Sequence, residues 1–66
     1  MKHTAHFDDV TAIADSGKAL LCSCPEWDKP QWIPHSQIDD DSEVYRDADE
    51  GTLIVSEWLA KEKGLI

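Results

Sequence analysis

A chain of 66 residues can close around only one core, and a domain of that size removes only about 60% of its unfolded surface from water. Its 41% of hydrophobic residues, three tryptophans among them, are enough for a folded unit, with an expected stability of about 3–5 kcal/mol. Nearly every large side chain is needed inside. A deep, water-excluding pocket with its own supporting shell does not fit in so short a chain, so an enzyme is not expected. The usual catalytic signatures are missing as well: there is no glycine-rich phosphate loop, no nucleophile elbow, and no Cys followed by a distant His and Asn in a usable frame.

The apolar residues come in short runs separated by turn formers. Val10-Thr11-Ala12-Ile13-Ala14 runs into Asp15-Ser16-Gly17-Lys18, which predicts a hairpin. A helix with Phe7, Val10 and Ala14 on one stripe is the competing reading of the same segment. In residues 19–24 a strand would put Leu20, Cys22 and Cys24 on one face, and Pro25 ends it. Trp27 sits in a connection bounded by Pro25 and Pro30. Gln31-Trp32-Ile33 then resumes extended structure, and Pro34, which lacks a ladder donor, belongs at an edge or a strand end. Trp32 is assigned to the core, and Trp27, in the loop, is the better interface candidate of the two.

Val44 and Tyr45 predict a short strand around Glu43-Val44-Tyr45, paired through a turn at Asp49-Glu50-Gly51 with Thr52-Leu53-Ile54-Val55. Ser56 reads as an N-cap, Glu57 complements the first helical turn, Lys61 and Lys63 the last, and Gly64 is a C′ signal. Val55, Trp58 and Leu59 give this short helix its apolar stripe, with Trp58 as a core anchor. The expected fold is α+β: a small antiparallel β-sheet, a meander of about three to five short strands, with a short C-terminal helix packed on it. The chain forms one domain over residues 1–66.

Charge is the strongest functional signal. Fourteen acidic residues against 6 basic ones leave a formal charge of −8 and a pI near 4.5, which opposes direct contact with nucleic acid or anionic lipid and favours a basic partner. Seven of the acids, Asp39, Asp40, Asp41, Glu43, Asp47, Asp49 and Glu50, fall within residues 39–50, where Arg46 is the sole base. Duplex DNA presents one phosphate charge per about 1.7 Å of axis, so carboxylates arrayed along an edge can compete for side chains that hold phosphates. The same run would also serve as a solvated loop that aids solubility.

Metal binding is not expected. Asp39, Asp41, Glu43 and Glu50 occupy positions one, three, five and twelve of an EF-hand-like loop, but Val44 stands where that loop needs Gly. Cys22 and Cys24 with His35, His3 or His6 make no zinc pattern, since a single Cys-x-Cys lacks a second pair. The two thiols read as reduced core residues, and no cofactor is implied.

Trp32-Ile33-Pro34-His35-Ser36-Gln37-Ile38, then Asp40-Asp41-Ser42-Glu43-Val44, then Gly51-Thr52-Leu53-Ile54-Val55-Ser56-Glu57-Trp58-Leu59-Ala60 and Lys63-Gly64-Leu65, resemble small acidic proteins encoded by phages and prophages. The likeness spans residues 18–65. It implies an aromatic-Ile-Pro strand, an acidic connection and a final strand leading into a short helix. In size and charge the chain is also similar to phage anti-CRISPR inhibitors, several of which imitate the charge pattern of DNA. The resemblance implies a basic host protein or nucleoprotein complex as partner, a CRISPR effector for instance. The acids of residues 39–50 and Trp27 would contact it. A phage accessory subunit for replication or recombination, binding through a sheet edge or its helix, is the alternative. The opening Met1-Lys2-His3-Thr4-Ala5-His6 lacks the apolar run of a signal peptide, so a cytoplasmic monomer in a bacterial host cell, away from membranes, is the expectation.

Overall fold

The computed structural model describes residues 3–66; Met1 and Lys2, part of the segment read for a signal peptide, lie outside the described residues. The elements in chain order are β1 (Thr4–Asp15), β2 (Ala19–Ser23), β3 (Gln31–Pro34), a 3-10 turn (His35–Gln37), β4 (Glu50–Ser56) and α1 (Glu57–Glu62). All strand pairs are antiparallel and the order across the sheet is β3-β2-β1-β4. The architecture is the expected α+β sheet with a short C-terminal helix: β1, β2 and β3 form a meander, and β4 joins the free side of β1.

Of the two readings of the N-terminal segment the strand is the one formed, over Thr4–Asp15, and it is longer than its β-branched centre predicts. Ala5 and Phe7 alternate inward, then Val10 and Ala12 do the same in the opposite phase. The register shift lies between Phe7 and Val10, where Asp8 and Asp9 form a bulge. Asp9 sits at φ 58, a left-handed conformation that Asp tolerates because its short polar side chain can bond locally. A second irregularity between Ala12 and Ala14 turns Ile13 out to solvent. The hairpin turn carries Gly17 at φ 94, and the Gly17 N–H donates to Asp15 Oδ1 at 2.7 Å.

One face of the sheet forms the core with Leu20, Cys22, Ile33, Leu53 and Val55, joined by Ile38, Val44, Leu59 and Ala60 from the connections and α1. Burial pushes the Cys22 thiol up to about 12, so it packs as a small apolar group. The helix ends follow their local chemistry. The Ser56 hydroxyl accepts from Leu59 N–H at 3.2 Å, while the Gly64 and Leu65 amides close a Schellman motif on Lys61 and Ala60. No helix among the described residues is long and apolar enough to cross a membrane.

Two of the three tryptophans occupy different places from those their residue type suggests. Trp32, assigned to the core, is 44% exposed on the outward face of β3, where its parity opposite buried Ile33 puts it. Trp58, read as a core anchor, is 63% exposed, because α1 is only 6 residues long and buries Leu59 and Ala60 instead. Trp27, the better interface candidate of Trp27 and Trp32, is half-buried and meets Phe7 edge-on with ring centroids 5.3 Å apart. Trp58→Ala should therefore change the unfolding free energy by less than about 0.5 kcal/mol in a urea titration; a loss above about 2 kcal/mol would restore it to the core.

Candidate functional site

An acidic run has a defined shape only if something other than its own side chains holds it. The segment between the 3-10 turn and β4 is held at both ends and in the middle. Asp39 N–H donates to the Ile54 carbonyl at 2.8 Å, and Glu43 N–H to the Thr52 carbonyl at 2.9 Å. At the far end Ala12 N–H donates to the Asp49 carbonyl at 2.8 Å, and Ala48 N–H returns to the Ala12 carbonyl at 3.0 Å. Val44 is fully buried between these ties.

This arrangement replaces the predicted hairpin of residues 43–45 with residues 52–55. Residues 43–45 form no strand; β4 takes β1 as its ladder partner, and the acidic segment covers β4's other edge with a mixture of backbone and side-chain groups. Glu43 Oε1 accepts from Thr52 N–H at 2.9 Å, and the Ser42 hydroxyl accepts from Ile54 N–H at 3.1 Å while donating to the Val44 carbonyl at 3.0 Å. Two side chains thus stand in for strand acceptors, which satisfies an edge that would otherwise invite another chain. Gly51, at φ 141, allows the close approach: a Cβ there would lie 2.9 Å from Glu43 Oε1.

The seven acids do not have equal roles. Asp39 Oδ1 accepts from Asp41 N–H at 3.0 Å, and Asp49 Oδ2 accepts from the Tyr45 and Arg46 amides at 3.1 and 2.9 Å. With Glu43, these two build the segment. Asp40, Asp41, Asp47 and Glu50 are exposed, and Asp40 Oδ1 accepts from the Tyr45 hydroxyl at 3.4 Å. Partial burial and then the charge of Asp40, with smaller effects of Asp39 and Asp41, raise the Tyr45 phenol above its ordinary value. Trp27 belongs to a different part of the molecule, against Phe7 and beside a recess lined by Lys29, Lys63 and Leu65.

Two acids outside the run join it. Thr52 Oγ1 donates to Asp8 Oδ1 at 3.2 Å, and Asp9 lines a shallow recess with Thr11, Glu50 and Gly51. Both lie outside residues 18–65, the span of the phage likeness, and neither is among the acids of residues 39–50. The available signal was Phe7-Asp8-Asp9-Val10, where two acids between inward-facing residues break the alternation of a strand. Among the described residues no group of three or more His, Cys, Asp or Glu side chains is placed to hold a metal ion.

One acid is set apart by a pairing. Asp15 Oδ1 lies 3.0 Å from His35 Nε2, linking the end of β1 to the 3-10 turn. The His35 hydrogen bond first, and then the Gly17 amide, hold the Asp15 carboxyl below the usual carboxylate range. A depressed native value means that Asp15 contributes stability above its unfolded value of about 3.9 and loses it as pH falls through the lower native value. Asp15→Asn should reduce stability at neutral pH, and the difference should shrink as pH falls through the lowered native value, so the two stability curves converge in acid. Parallel curves from about pH 6 to pH 2 would contradict the pairing.

No family model, no curated protein and no solved structure matches this chain.

Proposed function

We propose that this chain is a binding protein that occupies a basic, nucleic-acid-holding groove of a partner and competes there by carboxylate mimicry. The observation that carries the reading is the tethering of residues 39–49 to β4 and β1, which presents exposed Asp40, Asp41 and Asp47 from a framework bonded at both ends. A partner then meets carboxylates whose positions are already fixed, so less ordering entropy opposes binding. Asp8, Asp9 and Glu50 extend the same charge onto the sheet. On the likeness in size and charge to phage anti-CRISPR inhibitors, the partner we propose is a host nucleic-acid machine, with a CRISPR effector as one candidate.

The alternative, an accessory subunit that adds a sheet edge to a larger assembly, has less support from the geometry. The outward backbone groups of Thr52 and Ile54 on β4 are already bonded, and on the other edge Pro30 and Pro34 flank Trp32 and cannot donate.

The test is a pull-down from bacterial lysate at low and high salt, followed by challenge with duplex DNA. A captured partner released both by salt and by DNA is the expected result, since exposed charges are screened over about 8 Å at physiological ionic strength. A partner retained in high salt and indifferent to DNA would overturn mimicry.

A further inference from the structure

The outer face of the sheet has a composition that neither the core nor the acidic segment requires. Register aligns Ala14, Leu21 and Trp32 across β1, β2 and β3 on the side opposite Leu20, Cys22 and Ile33. Ile13 beside them is 47% exposed. The next row is Ser23, Thr11 and Glu50. Beyond it, on the same face, are Asp8, held by the Thr52 hydroxyl, and Asp9. The face is therefore apolar toward β3 and acidic toward β4.

No lysine or arginine occurs in any of the four strands. Three adjacent strands span about 10 Å, close to the about 10–12 Å diameter of a helix with its side chains. A second copy of the chain does not suit this face, because it would bring acids against acids.

We propose that the outer face docks a cationic amphipathic helix of the partner. The apolar stripe of that helix lies on Ile13, Leu21 and Trp32, and its Lys or Arg residues lie against Asp8, Asp9 and Glu50. The proposal rests on the basic-partner reading and adds the partner's secondary structure and a second contact region to it.

The probe is a pair of synthetic peptides of leucine and lysine with identical composition, one with helical amphipathic order and one scrambled, titrated into the isotope-labelled full chain and followed by amide chemical shifts. The ordered peptide should shift Asp8, Asp9, Ile13, Leu21, Trp32 and Glu50 and bind at least about tenfold more tightly than the scrambled one. Trp32→Ser should weaken it by about three- to tenfold. Asp9→Asn with Glu50→Gln should flatten its salt dependence. All three positions are on the surface, so the unbound spectra report directly whether the fold is kept.

Shifts confined to residues 39–49 would overturn the helix site while leaving the basic-groove reading in place. Equal affinity for the two peptides would overturn it, as would concentration-dependent shifts on this face in the free chain, the sign of self-association.

Discussion

Ser42→Ala is expected to lower the unfolding free energy by about 2–3 kcal/mol, a large share of what so small a domain has. The Ser42 hydroxyl is at the centre of the β4 edge: it donates to the Val44 carbonyl at 3.0 Å and toward the Thr52 carbonyl at 3.4 Å, and accepts from Ile54 and Val44 amides at 3.1 and 3.3 Å. Ser42 is buried, at 7% exposure, so water does not readily replace the lost oxygen. Two amides are then left without an acceptor, and leaving a buried polar group unpaired costs more than an average hydrogen bond contributes. Urea unfolding should show a lower midpoint. The amides of residues 39–44 should also exchange with solvent faster than those of β1 and β2, because the edge opens before the sheet does. A change below about 0.5 kcal/mol would mean that the segment is held without this hydroxyl.

The largest effect on binding is expected from reversing Asp40, Asp41 and Asp47 to Lys together. The three are exposed, and the Asp41 and Asp47 carboxylates form no hydrogen bond or ion pair with any described residue, so the fold should tolerate the change. Each reversal removes one negative charge and adds one positive charge, taking the formal charge from −8 to −2. Placed against a basic groove, the variant converts attraction into repulsion. Affinity for the captured partner, or for an arginine-rich peptide used as a probe, should fall at least about 100-fold, and the salt dependence should weaken with it. Asp39 is left alone because its carboxylate accepts the Asp41 amide; reversing it would mix loss of charge with loss of structure. Retention of full affinity by the triple variant would show that these acids do no more than keep the chain soluble.

Local chemistry made much of the fold legible. The turn at Asp15 to Lys18, the alternation of Leu20 and Cys22, the stop at Pro25, the Ser56 cap and the Gly64 terminus each depend on neighbours within a few residues, and each formed as expected. What depends on partners far along the chain was not legible. Val44-Tyr45 has strand composition, yet only Val44 faces inward, and the pairing positions beside β4 are filled by the side chains of Ser42 and Glu43. Residue type alone placed Trp32 and Trp58 wrongly. Strand parity put Trp32 outside, the shortness of α1 left Trp58 outside, and Phe7, 20 residues upstream, drew Trp27 in.

The candidate site was partly legible for the same reason. Counting acids located Asp40, Asp41 and Asp47, which are exposed, but not the structural duties of Glu43 and Asp49, which appear only once the backbone amides they accept are in place. Asp8 and Asp9 reach the acidic surface through a bulge, and a bulge is set by register with β4 rather than by composition.

Everything functional depends on residues 39–49 being as ordered as the sheet that holds them. Backbone nitrogen relaxation across that segment is the direct measure. Order parameters near about 0.85, matching those of β1 and β4, are the expected result, and values below about 0.6 would show a flexible loop in which the carboxylates have no fixed arrangement for a partner to recognise.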